Sequence, residues 1–247
     1  MPSTSESGHA KNVASFSKLL VGVQSYGASY APSAPEIAAT ALQTKNAALD
    51  PVIQSVTNAV SPHKNAVNVR QAAFNPMSKL VTRMENALKG CGAAKKEITD
   101  GIGFAKKIKG ERIDTKHALD AFIDSTHKAG TPVDSTPTTD VTHDELIEHS
   151  VSQMSFDNRI QNFKKLVSFL SGITKYNPNE ADLKIAALTT YANSLQPLNN
   201  AVNTAFITLY KARTNRDKQL YAEGTGAHDL LQQTKYYVKS AYGPQSP

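Results

Sequence analysis

Cysteine, tryptophan and long apolar runs are scarce in this sequence. The 247 residues include one cysteine, Cys91, and no tryptophan. A single cysteine excludes an intrachain disulfide framework, a zinc ribbon and a CxxC redox pair. The densest apolar runs, 16–23 and 163–170, are far shorter than the roughly 20 residues that cross a bilayer as a helix. Residues 1–12 also lack the apolar stretch of a signal peptide, so we expect a cytoplasmic protein without a transmembrane segment.

The residue patterns of catalytic, cofactor and metal sites are missing as well. Gly101 and Gly103 are not part of a GxGxxG or GxxxxGK[ST] nucleotide-binding motif. Cys91 has no candidate base near it in sequence, and a cysteine nucleophile needs one. Glu145 and His149 are four residues apart, but two ligands do not make a metal site. We therefore predict a protein without catalytic residues, cofactor or metal.

An internal repeat is the most informative feature that is present. Shifting the sequence by 146 positions aligns Tyr30 with Tyr176 and Pro51 with Pro197. The same shift pairs Pro32 with Pro178, Leu49 with Leu195, Val56 with Val202 and Arg70 with Arg216. The match predicts one helical repeat over 13–92 and a second over 156–247. A disordered N-terminus, 1–12, and a connector, 93–155, complete the predicted organisation.

Each repeat is predicted to contain three main helices. Apolar residues recur at helical spacing from Phe16 to Val23, and again from Phe163 to Leu170. A heptad pattern over 35–74 and 180–221 predicts a long second helix with coiled-coil-like packing. The third helix is predicted from Leu80, Val81, Met84 and Leu88, which match Leu230, Leu231, Thr234 and Val238.

Proline residues interrupt the predicted long helices. Pro51 and Pro197 lie inside the heptad segments and either kink the helix or restart it. We favour a kink, and we expect a further break at Ser61–Pro62 in the first repeat. The predicted fold class is therefore all-α: an internally duplicated, elongated helical bundle with a partly ordered acidic connector. Short helices are expected in that connector, at 114–126 and after the capping box of Thr142 and Glu145.

Positive and negative charges occupy different blocks of the chain. Residues 1–110 carry 13 basic and 6 acidic side chains, residues 111–150 carry 3 and 9, and residues 151–247 carry 11 and 6. The sequence pI near 9.2 thus describes two basic repeats joined by an acidic connector. We predict that 114–148 packs against basic repeat surface and reduces non-specific binding of anions.

A lysine-rich run is the candidate anion-binding site. It consists of Lys95, Lys96, Lys106, Lys107, Lys109 and Arg112. Phe104 is the one aromatic residue within it, so a stacking platform for nucleic-acid bases is not evident. A solvated helix face explains the run without any function. Binding of nucleic acid or another anion is the alternative to the main functional prediction.

The stretch from Ser150 to Ile160 carries a family resemblance. Together with Phe163–Leu166 and Tyr176–Glu180, it resembles a group of bacterial all-helical proteins without an assigned function. The resemblance is concentrated in residues 150–247. It implies an all-α fold and brings no activity, ligand or catalytic residue.

The length of the heptad segments indicates an interaction role. A helix of about 40 residues reaches about 60 Å, whereas the shorter helices beside it reach about 25 Å. Apolar positions left uncovered need another surface, which is the other long helix or a partner. These candidate protein-interaction residues are Val52, Val56, Ala59, Leu198, Val202 and Ala205. We predict a non-enzymatic structural protein that self-assembles as a homo-oligomer or filament, or binds another protein.

Overall fold

The computed structural model describes residues 6–111 and 154–243, and within them every regular element is helical. The predicted all-α class is therefore confirmed. In this part of the chain the α-helices are α1 (Glu6–Ser25), α2 (Ala39–Phe74), α3 (Met77–Gly90), α4 (Lys95–Lys109), α5 (Phe156–Ser171), α6 (Ile185–Tyr221) and α7 (Ala227–Tyr242). Single 3-10 turns form at Gly27–Ser29, Pro35–Ile37 and Ala181–Leu183. The helices predicted at 114–126 and after Thr142 lie outside the described residues.

Both long helices run through their prolines without restarting. Pro51 and Pro62 lie inside α2, and Pro197 lies inside α6. The break expected at Ser61–Pro62 is therefore wrong. A proline removes one backbone hydrogen bond and crowds the preceding turn, but buried residues anchor α2 on both sides of this position. Val56 is fully buried before Pro62, and Phe74 is 3% exposed after it.

The N-terminus is helical earlier than the sequence indicated. Residues 1–12 were expected to be disordered, yet α1 begins at Glu6. His9 is 1% exposed, and its Nδ1 lies 2.8 Å from the hydroxyl of Tyr221. The side-chain amide of Asn12 donates to the same hydroxyl at 2.9 Å. Polar contacts with a residue more than 200 positions away thus hold these turns, and no local pattern in 1–12 announces them.

The chain folds into two compact units, and each unit combines residues that are far apart in sequence. Unit 1 comprises 1–68 and 201–247, and unit 2 comprises 69–200. The divisions fall inside α2 and α6, so each long helix contributes its first part to one unit and its last part to the other. Each unit therefore contains helices from both predicted repeats.

The core of unit 1 is built from α1, α7, the first part of α2 and the last part of α6. Phe16 of α1 and Leu42 of α2 are essentially inaccessible, and Leu220 of α6 is 1% exposed. The remaining members are Val13, Leu20, Val23, Tyr30, Ile37, Leu49, Ala227, Leu230 and Val238. A smaller cluster joins Val56 and Ala59 of α2 to Leu209 and Ala212 of α6. The apolar stripe that the heptad pattern identified is thus buried here within the chain.

The core of unit 2 is built from the last part of α2, from α3, α4 and α5, and from the first part of α6. Its fully buried members include Met77, Val81, Met84, Ala105, Ile108, Ile160, Phe163, Leu188 and Leu195. α4 is an integral layer of this core, although its sequence was assigned to the connector. A hydrogen bond from Ala94 N to the Glu97 carboxylate, 2.8 Å, begins the helix, and Gly110 ends it in the left-handed conformation with φ 73°.

Gly101 and Gly103 of α4 offer a matched pair of substitutions. A Cβ atom on Gly101 would lie 2.4 Å from Leu88 Cδ2 and 3.3 Å from the Phe169 ring, whereas nothing lies within 4 Å of one on Gly103. We expect Gly101→Val to lower the free energy of unfolding by about 1–3 kcal/mol, because it overpacks the core. Gly103→Ala should raise it by about 0.5–1 kcal/mol, because alanine has the higher helix propensity.

Urea unfolding followed by far-UV circular dichroism measures both effects. Gly103→Ala is the control, because it changes the same helix at a position with free space around it. Stabilisation by both substitutions would contradict the close packing of α4 against Leu88 and Phe169.

Candidate functional site

An apolar face on α6 is the most unusual part of the described surface in unit 1. It consists of Phe206, Ile207 and Tyr210, which are 55%, 50% and 61% exposed. The Phe206 and Tyr210 rings stack with centroids 6.4 Å apart, as side chains four residues apart on a helix can do. His63 of α2 lies beside Phe206, with ring centroids 6.1 Å apart. We call Phe206, Ile207 and Tyr210 the α6 apolar face.

The α6 apolar face lies outside the buried stripe of its helix. Val202, Leu209 and Ala212 follow the heptad spacing and point into the unit, with exposures of 9% or less. Phe206 and Ile207 fall between these positions, so the heptad pattern does not include them. The available signal was their residue type, because two large apolar residues outside the stripe are unusual for a solvated helix face.

The six residues predicted to contact a partner do not form one exposed surface. Val56, Ala59 and Val202 are 0%, 8% and 6% exposed, so the chain itself covers them. Val52, Ala205 and Leu198 are partly buried, and Leu198 belongs to unit 2 while the other five belong to unit 1. The sequence analysis offered two covering surfaces for these positions, the other long helix or a partner. The three buried residues agree with packing inside the chain.

A cleft between α2 and α6 in unit 1 has a volume of about 600 Å³. Ala59 and Ala205 lie in its walls, together with Pro51, Pro62 and Thr208. These small and rigid side chains leave room between the two helices. Gln54, Ser55 and Asn58 also line the cleft and supply polar groups.

The lysine-rich run divides into free and paired charges. Lys95 and Lys96 are exposed at the start of α4, and Lys106 and Lys107 are half-buried near its end. Lys109 is different, because its Nζ lies 3.2 Å from a Glu85 carboxylate oxygen and 3.1 Å from one of Glu111. Burial opposes its charge, but hydrogen bonds to Glu111 and Glu85 outweigh burial and raise the pKa of Lys109. Arg112 lies outside the described residues.

Arg70 takes part in a buried polar network in unit 2. Its Nη1 donates to Asn199 Oδ1 at 2.8 Å, and its guanidinium lies 3.8 Å from the centre of the Phe156 ring. Asn199 in turn donates to Asp157 Oδ1 at 2.8 Å. Arg70 thus pairs with an amide and a ring. The network explains the burial of Asn199, which is 2% exposed.

Arg216, the predicted counterpart of Arg70, makes a different contact. Its Nε and Nη2 donate to Asp217 Oδ1 at 2.9 and 2.8 Å. This ion pair fits the structural role expected for Arg216. The side chain is 4% exposed, so the pair fixes the charge on the last part of α6 rather than presenting it to a ligand.

Two tyrosines secure the turns that precede the long helices. The Tyr30 hydroxyl donates to the Ile37 carbonyl oxygen at 2.8 Å in unit 1. The Tyr176 hydroxyl donates to the Leu183 carbonyl oxygen at 3.2 Å in unit 2. Burial raises the pKa of Tyr176 to about 12, and it also raises the pKa of Tyr30. Both tyrosines are therefore neutral structural donors at physiological pH.

Histidine, cysteine and carboxylate groups are dispersed in the structure. Within residues 6–111 and 154–243, no three of them lie close enough to hold a metal ion. Glu145 and His149, the pair weighed as metal ligands, lie outside those residues. The Cys91 thiol donates to the Leu88 carbonyl oxygen at 3.1 Å, which closes the end of α3.

Comparisons with known proteins give no match. No family model, no curated protein and no solved structure is similar to this chain. The resemblance to bacterial all-helical proteins therefore stays a prediction. Among the described helices, none combines the length and the apolar character of a membrane span.

Tyr176 predicts how stability depends on alkaline pH. The unfolded chain ionises this phenol near pH 10, whereas the folded chain keeps it neutral up to about pH 12. We therefore expect the free energy of unfolding to fall across this interval, by up to about 1.4 kcal/mol per pH unit from this group. Tyr176→Phe should make the decline shallower, as measured by urea unfolding between about pH 9 and pH 12.

The reference for this comparison is stability at about pH 7. There the loss of the hydrogen bond to Leu183 lowers the stability of Tyr176→Phe by a constant amount. Parallel declines of the native protein and the variant at alkaline pH would contradict the role of Tyr176.

Proposed function

We propose that this chain is a non-enzymatic interaction protein that self-associates through the α6 apolar face. Eight large apolar side chains are exposed in the described residues, and three of them lie within five positions of α6. This clustering supports the proposal, because isolated exposed apolar residues are ordinary while grouped ones mark contact surfaces. Two of the three are aromatic, the residue type that contributes most to protein interfaces.

A second copy of the chain is the partner that this face fits best. Every copy carries the same face, and two identical faces related by a two-fold axis cover each other. In such an arrangement Phe206 and Tyr210 of one copy contact the α6 apolar face of the other copy. The side chains needed for a closed contact are therefore all supplied by the chain itself.

Recurring contacts support the proposal that the chain is a duplicated three-helix repeat. Pairs of residues related by the sequence repeat occupy the same places in units 1 and 2. Tyr30 and Ile37 correspond to Tyr176 and Leu183, and Lys45 and Gln219 correspond to Tyr191 and Ala73. Such a duplicated helical framework fits the proposed structural role.

Anion binding is the second candidate, and the charge of unit 2 favours it. Its described residues carry 14 Lys and Arg side chains against seven Asp and Glu. Among those residues, only Arg83 and Lys109 form ion pairs with acidic side chains. Lys95, Lys96, Lys106 and Lys107 lie on α4 without such a pair, so they can contact phosphate groups. The segment 114–148, predicted to shield this charge, lies outside the described residues.

Self-association predicts a specific response to substitution of the α6 apolar face. We expect the native protein to dimerise with rising concentration in sedimentation equilibrium. Phe206→Ser combined with Ile207→Ser should weaken dimerisation at least roughly tenfold, because two large apolar side chains per copy lose their buried contact. The melting temperature should change little, since both side chains are already exposed.

Val21→Ser is the matched control for this experiment. Val21 is 67% exposed on α1, so the substitution removes an exposed apolar residue elsewhere in unit 1. It should leave dimerisation unchanged. A native protein that stays monomeric at high micromolar concentration would contradict the proposal. Equal dimerisation of the native protein and the double variant would also contradict it.

Anion binding predicts a steep dependence on salt. We expect duplex DNA to bind at low salt and to dissociate as salt is added. Replacing Lys95, Lys96, Lys106 and Lys107 by Gln should reduce the slope of log K against log salt by up to about 4, measured by fluorescence anisotropy. The control replaces Lys11, Lys18, Lys218 and Lys239 of unit 1 by Gln, which removes the same charge. Equal effects of the two sets would show that net charge, not α4, governs binding.

A further inference from the structure

A polar cleft of about 460 Å³ opens in unit 2 between α3 and the turn before α6. Asn86, Ala87 and Cys91 form one wall, and Asn177 and Asn179 form the other. Leu183 also lines the cleft and is 4% exposed. The cleft thus combines an apolar patch with several carboxamide groups. Neither the proposed self-association nor the basic run on α4 uses these residues.

Two tethers hold the walls of the cleft in place. Arg83 of α3 donates to both carboxylate oxygens of Asp182, one of them at 3.0 Å. Lys175 Nζ donates to the Gly92 carbonyl oxygen at 2.8 Å. Each tether connects the α3 side to the segment between α5 and α6. A ligand therefore meets a cleft that is already formed, which lowers the entropy lost on binding.

A tyrosine of unit 1 lies at the equivalent place. The repeat that pairs Leu80 with Leu230 and Lys89 with Lys239 also pairs Ala87 with Tyr237. The Tyr237 ring packs edge-on against Tyr30, with centroids 5.2 Å apart, and its hydroxyl accepts a hydrogen bond from Ala31 N at 3.2 Å. Unit 1 fills this position with a phenol ring from its own chain.

Unit 2 keeps the surroundings of that ring but lacks the ring. Tyr176 and Asn177 correspond to Tyr30 and Ala31, whereas Ala87 carries a methyl group in place of the phenol. The side-chain amides of Asn86, Asn177 and Asn179 hydrogen-bond to no other described residue. A carboxamide offers both a donor and an acceptor, and a phenol hydroxyl needs both.

We propose that the cleft binds a small hydroxylated aromatic compound. The ring lies beside Ala87 and Leu183, where Tyr237 sets the precedent in unit 1. The hydroxyl bonds to the carboxamides on the cleft walls. An analogue without the hydroxyl loses these hydrogen bonds and binds more weakly.

The probe for this proposal is p-cresol, which is the side chain of tyrosine as a free molecule. We expect saturable binding by saturation-transfer NMR, together with slower alkylation of Cys91 by iodoacetamide. Toluene, which lacks the hydroxyl, should bind roughly fivefold more weakly, because it makes no hydrogen bond. Equal affinities for p-cresol and toluene, or no binding of p-cresol, would overturn the proposal.

Ala87→Tyr locates the binding site. The substitution supplies the ring that unit 1 already has, so it should abolish p-cresol binding. Ala72→Tyr is the matched control, because it adds the same ring at an exposed position of α2 in unit 2 that does not line the cleft. It should bind p-cresol as the native protein does. Unchanged binding to Ala87→Tyr overturns the assignment to this cleft.

A second variant covers the case in which Ala87→Tyr does not fold. Asn86→Ala combined with Asn177→Ala changes two exposed side chains, and circular dichroism checks that the helices persist. We expect p-cresol to bind roughly fivefold more weakly or worse, since the amide partners of the hydroxyl are gone. Affinity equal to that of the native protein overturns the proposal.

Discussion

Packing between helices that are distant in sequence closes both hydrophobic cores. In unit 1, Phe16 and Leu42 cluster with Leu220 and Leu230, which follow them by more than 170 positions. In unit 2, Met77 and Leu88 cluster with Phe163 and Leu188. Closing such long loops costs entropy that grows only slowly with loop length, and burial of large apolar side chains offsets it. α2 and α6 each contribute residues to both cores.

The burial pattern of the long helices separates structural from surface roles. Leu49 and Val56 in α2, and Leu195 and Val202 in α6, are buried along the heptad stripe. These side chains are buried and are therefore not available to a partner. Surface chemistry is left to residues outside the stripe, and on α6 those are the aromatic and aliphatic side chains of its apolar face.

Similar frameworks carry different side chains in the two units. The turn tyrosines Tyr30 and Tyr176 make the same hydrogen bond seven residues onward. Around them the side chains differ at corresponding positions. Unit 1 has Tyr237 where unit 2 has Ala87. A duplicated framework can diverge in this way at its surface, since substitutions there cost little stability while substitutions in the core cost several kcal/mol.

Local periodicity in the sequence predicted the three main helices of each repeat, whereas α4 in the connector was not predicted. The all-α class and the apolar stripes through Phe16, Phe163, Leu42 and Leu188 follow from spacing alone, because a helix brings residues three and four apart to one side. The cap signals were local as well, and Gly110 ends α4 as a glycine at that position often does.

Contacts beyond the reach of periodicity decided the rest. The composition of the units, the burial of α4 and the early start of α1 all depend on residues far away in the chain. The sequence alone does not show that Gly101 of α4 is closely packed. The proximity of Leu88 and Phe169 in the structure shows it. The exposure of Phe206 and Ile207 also depends on the assembled helices, because a residue type does not state which neighbours cover it. Burial is a property of the assembled helices, so only the tertiary structure could determine it.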